Sequence, residues 1–228
     1  MDPLLVTYRH IIPGLWYPGT ATKACASSLR WYRDTLCGQE MELEARTGKN
    51  AYMAMDEEAA KVPAGCSGMF FHPYLQGEIT PYSDTKLRAS FTGVTSMHTK
   101  AHFTRAVMEG VAYSLKQSVQ VLERLDIRFT DPLRIIGGGA KSGLWRQIVA
   151  DVLGMPLQRM HSDDSSIGSA MLAGVATGIF SSYEDSVNRC SRKGEMVYPN
   201  EENREVYEKN FIIYAKIAEA LKDIYHLL

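Results

Sequence analysis

The 228-residue chain has little of several things that would assign it to a class. It has four cysteines, Cys25, Cys37, Cys66 and Cys190, none in C-x-x-C spacing. That excludes a disulfide scaffold and the usual structural zinc patterns, and fits reduced thiols in a cytosol. No charge of one sign dominates: the formal net charge is -1 and Lys and Arg are scattered. Neither nucleic acid nor an anionic membrane is therefore expected as a partner, since both are met by a clustered basic face. Long apolar runs are lacking too. The most apolar stretch, Ile167 to Phe180, is too short to span a bilayer and is broken by Gly168, Gly174 and Gly178. The opening residues lack a basic leader ahead of an apolar core and a cleavage site, so no secretory signal is expected. These absences leave a cytoplasmic globular protein, 45% hydrophobic and long enough to bury a core.

Apolar spacing supplies the elements. After an irregular opening rich in Pro and Gly, it predicts a helix over Thr22 to Leu36, stopped at Gly38, and a weaker one over Ala51 to Lys61. Short strands are expected at Met69 to Phe71 and Ala89 to Val94, separated by a loop. The clearest helix runs from Ala101 to Leu125, with Phe103, Val107, Val111 and Leu115 on its apolar side. Arg105, Glu109 and Lys116 are expected on its solvent side. Then strand, helix, strand and helix alternate over 133–136, 143–153, 157–160 and 166–177, predicting an α/β layer. A closing helix follows Glu201, striped by Val206, Phe211, Tyr214, Ile217, Leu221 and Ile224.

Candidate sites stand out against this frame. In IIGGGAKSG three glycines sit between a strand and a helix that Ser142 is placed to cap, a geometry suited to an anion or a nucleotide edge. The spacing is neither G-x-G-x-x-G nor a P-loop, and on spacing alone a tight strand-to-helix turn packed against its neighbour is the better account of three glycines. His98 and His102 are four apart but lack a third ligand, so no metal site is expected. Asp163 and Asp164, like Glu78 and Asp84, are acidic candidates; the first two fit helix caps better than a catalytic base. The small residues of GSAMLAGVATG predict a helix packed closely on a sheet or a neighbouring helix. No spacing supports a hydrolase triad.

In order, CASSLRWYRD, FHPYLQGEITPYSD, ASFTGVTSMHTKAHFTRAVMEGVAYSL, IIGGGAKSGLWRQIVADVLGMP and IGSAMLAGVATG resemble the carboxy-terminal domain of the FGGY family of carbohydrate kinases, most like its xylulokinases. The resemblance implies a ribonuclease H-like (actin/hexokinase-like) α/β domain, a mixed sheet with flanking helices, spanning residues 1–228. It implies that the amino-terminal sugar-binding domain is missing from this chain, and with it the general base, so no catalytic residue is expected here. It further implies ATP and Mg2+, the metal held mainly through the phosphates, and a sugar as substrate. Xylulose is favoured, with ribulose, gluconate or glycerol as alternatives, or a non-catalytic nucleotide-binding module of the same fold. Carried over residue by residue, the nucleotide would meet Gly138, Gly139, Ala140 and Ser142, and also Ala26 and Arg30. Two departures stand out: Ala26 replaces the family's usual glycine, and GEITP replaces GERTP, so Ile79 removes a cation. A domain severed from its partner is expected to expose an apolar face, and a homodimer is one way of covering it.

Overall fold

The computed structural model describes residues 4–161 and 164–228. Asp163, one of the acidic candidates, lies outside the described residues.

The opening expected to be irregular is a β-hairpin, β1 (Val6–Arg9) paired antiparallel with β2 (Trp16–Gly19). Its turn uses Gly14 at φ +84°. The first expected helix is α1 (Ala26–Leu36), which starts four residues later than expected and stops at Cys37, whose φ of -112° and ψ of 44° leave the helical region; an unexpected helix, α2 (Gly38–Thr47), follows at once. Gly38 therefore begins a helix where a stop was expected. Gly48, left-handed at φ 76°, ends α2, and the Asn50 side chain caps α3 (Ala51–Ala59) by accepting the Tyr52 N–H. Next come the short antiparallel strands β3 (Phe70–His72) and β4 (Ser90–Thr92).

The long α4 (Lys100–Glu123) is the scaffold. It is not amphipathic as its spacing predicts: Thr104 to Ser114 are all buried. Arg105 and Glu109, expected to face solvent, form a buried pair at 2.7 Å. Tyr207 joins them, accepting from Arg105 and donating to Glu109, and Glu109 also accepts the Gly65 N–H. The pair is tolerated because each guanidinium nitrogen of Arg105 has an acceptor and Glu109 Oε1 accepts three donors. Gly110 is where α4 comes closest to β3, for a Cβ there would stand 2.0 Å from the Phe71 carbonyl oxygen.

The alternation that follows is as predicted: β5 (Leu133–Ile135), α5 (Gly143–Leu153), β6 (Leu157–Met160) and α6 (Ser165–Ala176). Then come α7 (Tyr183–Cys190), β7 (Lys193–Val197) and the closing α8 (Arg204–Tyr225). Strands β5, β6 and β7 form a mixed sheet in that order, β5 parallel and β7 antiparallel to β6. The core gathers around α4, where Val107, Met108 and Val111 meet Phe71 of β3, Ile148 of α5 and Tyr214 of α8. One expectation of burial fails: Ile224, placed on the buried stripe of α8, is 53% exposed. Helix α6 packs on its neighbour α7 as expected, with Gly174 buried against the Phe180 ring and Ile167, Met171, Leu172 and Val175 half-buried. No described helix is long and apolar enough to cross a membrane.

Candidate nucleotide-binding site

The glycine turn leaves β5 and enters α5 through one 3-10 turn, Gly139–Lys141. Gly137 takes φ +89°, a left-handed conformation that favours glycine, and Gly138 is exposed with nothing within 4 Å of where a Cβ would stand. These two present bare backbone outward. Gly139 faces the other way: a Cβ there would come within 3.0 Å of the Trp145 ring. Ala140 is 3% exposed, so its methyl is part of the core, and its carbonyl accepts from Arg146 at 2.6 Å. The amides of Ala140, Lys141 and Ser142 close the turn on the carbonyls of Gly137, Gly138 and Gly139. Ser142 caps α5 as predicted, its Oγ accepting the Trp145 N–H at 3.0 Å. Trp145 in turn donates its Nε1–H to the Met108 carbonyl, which fixes the turn against α4.

Asp56 of α3, which nothing in its sequence context marks as special, lies beside Ser142. Burial raises its carboxyl above the ordinary value, and the Ser142 side chain opposes the rise. Its Oδ1 is buried with no hydrogen-bond partner among the described residues.

The second candidate stretch begins α1. Ala26 is its first residue and Arg30 lies one turn later, both exposed. The loop feeding this helix is pinned by the GEITP segment. The Glu78 carboxylate, 1% exposed, accepts the N–H groups of Lys23 at 3.0 Å and Ile79 at 2.8 Å, and the Ser114 hydroxyl at 3.5 Å. Burial still raises its carboxyl, because these donors only partly replace water. Thr80 bonds to both the N–H and the carbonyl of Ala21 and donates its hydroxyl to the Leu4 carbonyl. The anchoring role of this loop thus belongs to the neighbours of Ile79, so the lost cation leaves it intact.

The two stretches are joined through α4, which packs against α1 and α5 alike, and the Tyr32 hydroxyl of α1 donates to the Lys100 carbonyl. The histidine pair serves local structure: His102 Nδ1 completes a capping box with Thr99, and His98 Nδ1 accepts the Thr95 N–H. Asp164 caps α6 through the Ser166 N–H, as its position predicts. Among the described residues no three His, Cys, Asp or Glu side chains gather as a metal site. A cavity of about 210 Å³ beside Lys116, Asp151 and Arg204 lies apart from the candidate residues, and there Asp151 accepts from Gln147, Asn200 and Asn203.

A strand–glycine turn–helix unit on a mixed sheet with flanking helices has the actin/hexokinase-like ATPase fold. Residues 4–177 match the model of the C-terminal domain of the FGGY family of carbohydrate kinases, and the chain belongs to that family. It is 34% identical over 224 residues to the xylulose kinase of Staphylococcus epidermidis, covering 98% of this chain and 43% of that one. It is 31% identical to the gluconokinase of Bacillus licheniformis, covering 92% and 41%. The crystal structure of the xylulose kinase from Rhodospirillum rubrum superposes with a TM-score of 0.83 at 30% identity, over 99% of this chain and 44% of that one. The chain therefore spans less than half the length of these relatives.

Proposed function

We propose that residues 1–228 form the nucleotide-binding lobe of an ATP-dependent sugar kinase, acting in the cytoplasm on xylulose. The observation that carries this reading is the outward-facing backbone of Gly137 and Gly138 at the mouth of the sheet, beside a capped helix start. A flat adenosine can rest there because no side chain intervenes. Gly139, Ala140 and Ser142 shape that surface from behind, and Ala26 and Arg30 at the start of α1 supply its second contact. Xylulose is favoured over gluconate because xylulose kinases are prominent among the relatives and solved structures.

Phosphoryl transfer needs an acceptor hydroxyl, a group to take its proton, and cations to neutralise the phosphates. This chain's part is to hold the nucleotide and fix its orientation. The base and most of the sugar contacts belong to the amino-terminal domain that the longer relatives carry. Mg2+ would arrive with the ATP phosphates and neutralise their charge.

Calorimetric titration with ADP tests the site. The wild-type chain is expected to bind, and Gly138→Val to bind at least about tenfold more weakly, a loss of about 1.4 kcal/mol, with unchanged thermal stability. Equal affinity in both, or no binding in either, overturns the assignment.

A further inference from the structure

Glu195 of β7 answers two arginines with one oxygen. Its Oε2 stands 3.4 Å from Arg159 Nη1 and 3.9 Å from Arg146 Nη2, both wider than the roughly 2.7–2.9 Å to which a charge-assisted pair ordinarily closes. Two guanidinium groups against one carboxylate leave the trio with a positive charge in excess. Arg146 is the less satisfied of the two. It is 8% exposed, its Nη1 is engaged by the Ala140 carbonyl, its Nε is buried with no partner among the described residues, and Nη2 has only that distant oxygen as an ion-pair partner. A guanidinium so far from water calls for a close acceptor. Glu195 is poorly placed to be one, since its side chain is 57% exposed and β7 is an edge strand.

The backbone brings the three together beside the glycine turn. Gln158 pairs with Met196 and Met160 with Lys193, so β7 carries one residue more than β6 between these pairs, and Gly194 and Glu195 both lie opposite Arg159. Such an irregularity re-aims a side chain and is frequent beside binding sites. Across the other edge of β6, Arg159 pairs with Ile135, two residues ahead of Gly137, while Arg146 reaches inside the turn to Ala140.

We propose that Arg146 and Arg159 form a seat for a phosphate-type oxyanion, which Glu195 fills as a loosely held internal substitute. A tetrahedral oxyanion offers several acceptor oxygens where the carboxylate offers the pair one, so it can close on both guanidinium groups at once. Glu195, exposed on its edge strand, then turns out into water at little cost. The oxyanion has two sources: free inorganic phosphate, or a phosphate carried by a nucleotide resting on the adjoining turn. The seat follows from the arginines alone; only the second source rests on the nucleotide reading proposed above.

The test is calorimetric titration of inorganic phosphate, adenosine and ADP, at fixed ionic strength in chloride, into the wild-type chain, Glu195→Gln, Arg159→Gln and Glu208→Gln. Removing the internal competitor is expected to tighten phosphate or ADP by about tenfold or more, and Arg159→Gln to weaken the same ligand by about as much. A gain in affinity cannot come from loss of fold. Glu208, an acid of similar exposure paired with Arg204 on α8, controls for net charge, and its substitution should move nothing. A response to inorganic phosphate assigns the seat to the free ion; a response confined to ADP assigns it to a nucleotide phosphate. Equal affinities in all four proteins, no binding of phosphate or ADP in any, or a gain from Glu208→Gln as large as that from Glu195→Gln would each overturn the seat. Adenosine separates the two readings. Adenosine binding without any response of phosphate or ADP to Glu195→Gln or Arg159→Gln keeps the glycine turn and rejects the seat, whereas a phosphate response without adenosine or ADP binding does the reverse.

Discussion

His72 shows how one side chain ties stability to pH. It is 1% exposed, its Nε2–H donates to the Tyr214 carbonyl, and its ring stacks on Tyr214 at 4.2 Å. Nδ1 is buried without a partner among the described residues, so a proton there would bring an unsolvated charge into the core. Burial accordingly lowers its pKa from 6.5 to about 4. Between those values the unfolded chain binds the proton and the folded chain does not, so stability is full above 6.5 and falls as pH drops towards 4. The loss amounts to about 3 kcal/mol. Asp56, Glu78 and Glu109, whose carboxyls are raised, act in the opposite sense. Urea unfolding of wild type and His72→Phe at pH 7 and 4.5 isolates the histidine: the acid-induced loss should be smaller in the variant. At Glu78 the expectation concerns hydrogen bonds. Glu78→Ala leaves the half-buried Lys23 and Ile79 N–H groups without their acceptor, at a cost of about 1–3 kcal/mol, whereas Glu78→Gln keeps an acceptor and costs less than half of that by chemical denaturation.

Among the elements, the ones legible in the sequence are those whose burial follows a simple period. Helices α3, α5 and α8 and the strands β5 and β6 lie within a few residues of expectation, because apolar side chains recur where the core needs them. The misses share a cause. Hairpin strands β1 and β2 are exposed and contain Pro18, so neither alternation nor composition marks them. Helix α2 buries no residue, α7 only Ser186, and β7 is a largely exposed edge strand. Helix α4 misled by being surrounded: its charged pair is satisfied by Tyr207 and Gly65, residues far away in the chain. The glycine turn was legible as a turn, but which glycines face outward depends on Trp145, and Asp56 is brought to Ser142 only by folding. Gly110 gives the test at this scale. Gly110→Ala puts a methyl against a backbone carbonyl that cannot swing aside, which should destabilise by at least about 1–3 kcal/mol and lower the melting temperature despite alanine's better helix propensity.

At the scale of the whole molecule, the chain spans less than half the length of the relatives it matches. Around α4 the Arg105–Glu109–Tyr207 cluster is hydrogen-bonded, while the Tyr113 hydroxyl and the Ser118 hydroxyl are buried without a partner among the described residues. On the proposed reading, a lobe that holds nucleotide without the general base does not turn over. Incubated with ATP, Mg2+ and D-xylulose, the chain should release no ADP above the enzyme-free rate, whereas turnover of about 1–100 per second would show that the machinery is complete here.

Trp145 floors the glycine turn with its ring, grips α4 with its N–H and is 5% exposed, whereas Trp31 and Trp16 are 36% and 64% exposed. The turn therefore carries its own optical reporter. With the other two indoles replaced by phenylalanine, the remaining blue-shifted emission would register whatever settles on the neighbouring main chain, with no label attached.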